Sequence, residues 1–162
     1  MLDASARGVY VIAPTPFHPD GRVDEASTEG MTDFFLEAGC TGITVLGMMG
    51  EAPKLDADEA LDVATRVIRR AGRTPVVVGV SAPGFAAMRA LTRAVMERGA
   101  AGVMIAPPST LRSDDQIVAY YAQAAEALGG DVPFVIQDYP LSTQVVMTPA
   151  VIARIVRDNP SC

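Results

Sequence analysis

Residues 42–55 read GITVLGMMGEAPKL, an apolar run followed at once by a turn that contains two glycines. The run from Gly42 to Leu46 has the length of a strand and lacks polar alternation, which is typical of a strand covered on both faces in a parallel sheet. Similar runs recur along the chain. We therefore predict five strands, at residues 9–12, 42–46, 75–80, 102–105 and 133–136.

Amphipathic stretches with helical periodicity lie between and after the predicted strands. Most of them begin near Ser, Thr or Asp and end near a glycine, as helix caps require. The predicted helices cover residues 24–38, 58–71, 85–98, 113–127 and 148–157. Alternating strands and helices, without internal sequence copies, predict an α/β fold with a parallel sheet and right-handed crossovers.

Two architectures contain such a sheet, the closed (β/α)8 barrel and the open doubly wound sheet. The loop after the first strand, Ala13 to Phe17, has no glycine that would let the backbone approach a pyrophosphate, which disfavours a dinucleotide-binding sheet. A TIM barrel needs roughly 250 residues, and five units use all 162 residues here. We expect one domain, residues 1–162, that forms the N-terminal portion of a (β/α)8 barrel.

The charge distribution excludes several classes of partner. The formal net charge is −6, and Lys54 is the only lysine among 13 basic residues, so no basic patch for nucleic acid or an anionic membrane is expected. Cys40 and Cys162 lie far apart in the sequence and lack metal-ligand spacing. This fits reduced, buried thiols better than a disulfide framework. We expect a cytoplasmic protein that uses no cofactor. His18, the only histidine, falls in a surface-type turn, so we also expect no metal site.

Ligands collect at the carboxyl ends of parallel strands, so the loops after the strands are the candidate site. In the turn Gly47 to Gly50, successive amides can converge on an anion such as a carboxylate, although an ordinary tight loop has the same pattern. Met48 and Met49 either shape a pocket or fill the core.

The loop after the fifth predicted strand places an amide, a carboxylate and a phenol in three successive residues. By strand alternation Gln137 and Tyr139 face the same side. The alternative is structural, with Asp138 capping a turn and Tyr139 packing at the rim.

Five segments, taken in order, resemble a known superfamily: GVYVIAPTPFHPDGRVD, GITVLGMMGEAPKL, PVVVGV, GVMIAPPS and FVIQDYP. They are similar to the class I lyases and aldolases that include dihydrodipicolinate synthase and N-acetylneuraminate lyase. The resemblance implies a (β/α)8 barrel in which a lysine on the sixth strand forms a Schiff base with pyruvate or another 2-oxo acid, while the GxxGE turn holds the carboxylate. It also implies a homo-oligomer, a dimer or tetramer. The expected lysine falls beyond Cys162, so the chain alone is expected to be catalytically incomplete.

Several positions depart from the family pattern. The usual GTTGE is GMMGE here, which replaces two hydroxyls by the thioethers of Met48 and Met49. Gln137 stands where the family has its acid-base tyrosine, and Pro108 and Ser109 stand where it has a further tyrosine pair. Ser142 falls where the lysine-pathway synthases carry an arginine. We therefore do not expect true dihydrodipicolinate synthase activity.

The resemblance thus leaves three hypotheses. The first is a divergent Schiff-base lyase or aldolase acting on a 2-oxo acid, complete only in a longer chain. The second is a non-catalytic 2-oxo-acid-binding or regulatory barrel, and the third is a fragment or an oligomerising half-barrel. The candidate catalytic residues are Gln137 and Tyr139. The candidate substrate-binding residues are Thr15, Gly47, Met48, Met49, Gly50, Pro108 and Ser109.

Overall fold

The computed structural model describes every residue from Met1 to Cys162. It contains one sheet of five strands: β1 Tyr10–Ile12, β2 Gly42–Val45, β3 Val76–Gly79, β4 Gly102–Ile105 and β5 Phe134–Ile136. Each strand pairs in parallel with the next one along the chain. An order without reversal is that of a barrel wall and excludes the doubly wound sheet, whose strand order reverses at a switch point.

Six helices follow or connect the strands: α1 Glu25–Glu37, α2 Ala57–Ala71, α3 Phe85–Glu97, α4 Asp114–Leu128, α5 Pro140–Thr143 and α6 Pro149–Asp158. The five predicted strands and five predicted helices are confirmed, each with its ends within one residue of the prediction. The sequence analysis did not predict α5, nor the single 3₁₀ turn Ala52–Lys54 that leads into α2.

The predicted helix caps are present. Side-chain oxygens of Asp24, Asp56, Ser113 and Thr148 accept hydrogen bonds from backbone amides in the first turns of α1, α2, α4 and α6. At Asp56 and Ser113 the third helical residue returns a bond to the cap, which forms a complete capping box. These caps fix where each helix begins relative to the strand before it.

The core lies between the sheet and its covering helices. Every residue of β2, β3 and β4 is buried, and side chains such as Val67, Met88 and Tyr121 pack onto them from three helices. No helix combines the length and the apolar character that crossing a membrane would require.

The outer edge of β5 already has a neighbour. The amide of Phe134 donates to the carbonyl of Ser161 at 2.9 Å, so the last residues of the chain lie beside β5. A sixth strand of the barrel, which the family resemblance implies, would lie on this side of β5.

Candidate active site

The turn after β2 lies at the carboxyl end of the sheet and starts at Leu46. Leu46 is buried and has φ 57°, a left-handed conformation that is costly for a residue with a side chain. The backbone then folds back closely, because a Cβ on Gly50 would lie 2.9 Å from the Leu46 nitrogen and 3.1 Å from the Leu46 Cα. A side chain at position 50 would therefore push the backbone of Leu46 away. A compact turn of this kind is one in which successive amides can converge on an anion.

Gly47 faces the space enclosed by the sheet. A Cβ on Gly47 would lie 2.9 Å from Cε of Met104, 3.5 Å from Nε2 of Gln137 and 3.7 Å from Cγ2 of Ile12. These neighbours come from β4, from the residue after β5, and from β1. The structure thus brings Gly47 and Gln137, two of the predicted site residues, together across the carboxyl ends of the strands.

Thr15, which follows β1, fixes the turn from a distance of 35 residues along the chain. Its hydroxyl is buried and donates to the carbonyl of Gly50 at 2.6 Å. The donor of Thr15 is therefore engaged by the protein itself, and only its oxygen lone pairs remain for another partner.

Met48 and Met49 point in different directions. Met48 is half-buried, and its thioether accepts a hydrogen bond from the Ser142 hydroxyl at 3.4 Å. Met49 is 60% exposed and faces solvent. Of the two thioethers, only Met48 borders the interior of the site.

Gln137 and Tyr139 also have different environments. The Gln137 backbone amide donates to the Ile105 carbonyl at 2.8 Å, so the ladder between β4 and β5 continues as far as this residue. Tyr139 is 46% exposed, and its carbonyl accepts bonds from the amides of Ser142 and Thr143 in α5. Gln137 therefore meets the turn, while Tyr139 begins a helix.

A cavity of about 880 Å³ opens beside the turn, between the loops after β2, β3 and β4 and the flanks of α2 and α3. Pro108 and Ser109 lie on its wall together with Met48 and Ser142, so four residues singled out from the sequence meet there. The charged residues on the wall are Asp56 and Asp58. No basic side chain lines the cavity.

Lys54, the only lysine, is an exposed surface residue. Its ammonium forms an ion pair with the carboxylate of Glu51, and its side chain is 72% exposed. Glu51 itself has the left-handed φ of 53° and ends the turn.

Two residues of the site were missed from the sequence. Met104 reaches Gly47 from β4, and Gly79 lies directly behind the turn in β3. A glycine within an otherwise all-valine strand is a recognised sign of close backbone approach, so the signal for Gly79 was present in VVVGV.

Comparison with known proteins identifies the family. A profile described as the dihydrodipicolinate synthetase family matches residues 5–161. The chain belongs to this family. A 4-hydroxy-tetrahydrodipicolinate synthase of Nitrosococcus oceani is 31% identical over 150 residues, which cover 91% of this chain and 51% of that protein. An L-2-keto-3-deoxyarabonate dehydratase of Azospirillum brasilense is 34% identical over 158 residues, covering 94% of the chain and 50% of the relative.

Solved structures of the family have the same fold. A dihydrodipicolinate synthase from Rhodopseudomonas palustris superposes with a TM-score of 0.93 at 63% identity, covering 97% of this chain and 52% of that one. A prophage protein of the family from E. coli K12, solved in complex with pyruvate, gives a TM-score of 0.84 at 25% identity, covering 94% of this chain and 52% of that protein. The chain thus spans about half the length of these relatives and forms the corresponding part of a TIM barrel.

Proposed function

We propose that this chain forms the 2-oxo-acid-binding part of a Schiff-base lyase or aldolase, with pyruvate or a related 2-oxo acid as substrate. The observation that carries the proposal is the compact turn of Gly47 to Gly50, which lies at the carboxyl ends of the strands and faces Gln137. Its backbone amides are suited to a carboxylate. The pyruvate complex of the E. coli relative supports the same ligand class.

The amine for the Schiff base comes from a barrel unit that follows Cys162. Attack of that amine on the keto carbon, followed by loss of the keto oxygen as water, gives a protonated imine that accepts the electron pair of a breaking bond. Lys54 is unsuited to this role because imine-forming lysines are desolvated, whereas Lys54 is exposed and paired with Glu51. This reaction requires no metal and no cofactor.

The side chains at the turn set limits on the chemistry. Gln137 can orient a substrate oxygen or a water molecule, but an amide has no pKa near neutrality for acid-base work. Met48 takes the place of a hydroxyl that would carry protons, and Ser142 takes the place of an arginine. Proton transfer therefore uses water, the substrate carboxylate or another side chain such as Tyr139, and the reaction differs from true dihydrodipicolinate synthesis.

The proposal extends to the setting in which the protein works. Acidic charge and unpaired Cys40 and Cys162 support a place in the cytoplasm, without nucleic-acid or membrane partners. Membership of the family supports a homo-oligomer, a dimer or a tetramer.

Reductive trapping tests the proposed function. The protein with a complete barrel is incubated with a panel of 2-oxo acids and borohydride, and the expected result is a covalent adduct on a lysine outside residues 1–162, detected by mass spectrometry. The matched control Lys54→Arg should leave the adduct unchanged. An adduct on Lys54, or no adduct with any member of the panel, contradicts the proposal.

A second candidate is a non-catalytic barrel that binds a 2-oxo acid. The observation in its favour is the neutral amide of Gln137, together with thioethers at both central positions of the turn. Calorimetric binding of pyruvate without a trappable adduct would support this candidate over the first.

A further inference from the structure

The peptide between Leu46 and Gly47 is the point from which the turn departs. Leu46 is 4% exposed and has the left-handed φ of 57°. A non-glycine residue in this region is strained and persists only where its surroundings hold it. The contacts of this one peptide therefore determine where the amides of Gly47 to Gly50 lie.

Gly79 of β3 packs directly against that peptide. A Cβ on Gly79 would overlap the Leu46 carbonyl oxygen, and it would lie 2.6 Å from the carbonyl carbon and 3.2 Å from the Gly47 nitrogen. The backbone of Gly79 does not itself require glycine, because its φ is not positive. What position 79 requires is room for the neighbouring peptide.

Gly50 packs closely against the same peptide, and Thr15 in turn fixes Gly50. A Cβ on Gly50 would lie 3.2 Å from the Gly47 nitrogen, and the Gly50 carbonyl is tied to the Thr15 hydroxyl at 2.6 Å. The Leu46–Gly47 peptide is thus held between β3 and a fixed part of its own turn.

We propose that Gly79 is a positioning residue for the carboxylate-binding turn. By leaving room for the Leu46–Gly47 peptide against β3, it sets the direction of the turn amides that receive a substrate carboxylate. This inference rests on the proposed function. It makes Gly79, a residue of β3, responsible for the preference of the site for anionic over neutral 2-oxo compounds.

Comparing a charged with a neutral substrate tests the role of Gly79. In the protein with a complete barrel, pyruvate and its uncharged methyl ester are trapped with borohydride by the wild type and by Gly79→Ala. We expect pyruvate trapping to fall about tenfold or more, since a shift near 1 Å in a binding group can cost that much. Trapping of methyl pyruvate, which lacks the carboxylate, should change less than about threefold. A variant that was merely destabilised would lose both equally, and equal losses would overturn the proposal.

Gly102→Ala is the matched control. Gly102 also lies in a strand, and a Cβ there would lie 2.9 Å from the Pro133 carbonyl oxygen, but at the amino end of β4. This variant therefore introduces a backbone contact that is too close, though milder than the one at Gly79, in a strand of the same sheet but away from the turn. The ratio of pyruvate to methyl pyruvate trapping should stay at the wild-type value.

Thr15 gives a second test in case Gly79→Ala does not fold. Thr15→Val removes the bond to Gly50, which packs against the same peptide, and it should lower the same trapping ratio. Thr15→Ser keeps the hydroxyl and should restore the ratio. If the ratio is unchanged in Thr15→Val, the peptide is not held as inferred.

A structural measurement separates failure of this inference from failure of the proposed function. If the wild type forms no adduct with any 2-oxo acid, the proposed function is wrong, and a crystal structure of Gly79→Ala decides the inference by itself. A displaced Leu46–Gly47 peptide supports the positioning role. An unmoved peptide overturns it.

Discussion

Tyr121 shows how a phenol near a site can be purely structural. Its side chain is fully buried, and its hydroxyl donates to the Ile105 carbonyl at 3.1 Å. Because burial disfavours the charged phenolate, it raises the pKa of Tyr121 well above the ordinary 10.0. Burial also raises the pKa of its neighbour Tyr120 to about 12. Neither phenol is expected to exchange protons with a substrate at neutral pH.

Replacing Tyr121 by Phe should therefore cost little stability. The Ile105 carbonyl keeps a second partner, the Gln137 amide at 2.8 Å, so no buried acceptor is left unpaired. We expect a loss of about 1 kcal/mol in the free energy of unfolding, measured by urea denaturation, the usual net value of one hydrogen bond. A loss of several kcal/mol would indicate that the hydroxyl has a further role. Tyr120→Phe is the control, since its hydroxyl makes no hydrogen bond within the chain.

Single residues also show where the sequence analysis reached its limit. Gln137 lies beside the turn because it directly follows a strand that ends at Ile136, and its role at the site stays a prediction. The alternation argument for Tyr139 assumed that the strand continued. Since α5 begins at Pro140, side-chain alternation no longer applies at Tyr139, and its catalytic role stays a prediction.

At the scale of elements, α1 and α2 are joined by a network of ion pairs. Arg70 holds Asp33 through two hydrogen bonds of 2.6 Å each. Arg66 contacts Glu25 at 2.7 Å and Asp62 at 2.6 Å, and Glu29 lies between the two arginines. The hydrogen bond from Arg70 lowers the pKa of Asp33 below its ordinary 3.8. The folded state therefore favours the ionised carboxylate.

The lowered pKa fixes the sign of a pH effect. The contribution of Asp33 is fully present above the unfolded pKa of 3.8 and disappears as the pH falls through the lower folded value. Asp33→Asn should be less stable than the wild type near neutrality, and its stability should decline less steeply below about pH 4, as measured by thermal unfolding against pH. Asp131→Asn, at an exposed residue without an ion pair, should follow the wild-type curve. Parallel curves for Asp33→Asn and the wild type would contradict the prediction.

The elements differ in how far they could be predicted. Long amphipathic helices such as α2, and continuous apolar strands such as β3, carry signals over many residues, so their ends were found within one residue. The four residues of α5 begin with proline and are too few for a helical period. Such a turn is set by the contacts of Ser142 and Thr143 with Tyr139, which no local pattern reveals.

At the scale of the whole molecule, the sheet has a protected centre and two less protected sides. β3 is buried and paired on both edges, whereas β1 is half-buried and pairs only with β2. Local opening follows burial and pairing. Stability is therefore expected to increase from the edges of the sheet towards its centre.

Hydrogen exchange should report this gradient. In the 162-residue chain we expect amides of β3 to exchange at least about tenfold more slowly than those of β1, because β3 opens only with the core. Mass spectrometry of exchanged peptides measures both strands in one experiment. Equal protection of the two strands would show that β1 is covered by a partner, such as a second copy of the chain.

Contacts that join distant parts of the chain explain why the site could be predicted only in outline. The turn was recognisable because its glycines lie within four residues of one another. The bond from Thr15 to Gly50 and the contact of Gly79 with Leu46 arise only when strands lie side by side. The sequence indicated the strand order but not these distances.

The acidic border of the cavity has a consequence for the rate at which the proposed substrate arrives. Asp56 and Asp58 line the opening without any basic side chain, and the chain carries a net charge of −6. Under the proposed function, an anionic 2-oxo acid that approaches this face is repelled by these carboxylates, so encounters are slower than for a neutral molecule of the same size. Dissolved salt screens that field, and a more concentrated buffer should accelerate capture, the reverse of the behaviour of sites that attract anions electrostatically.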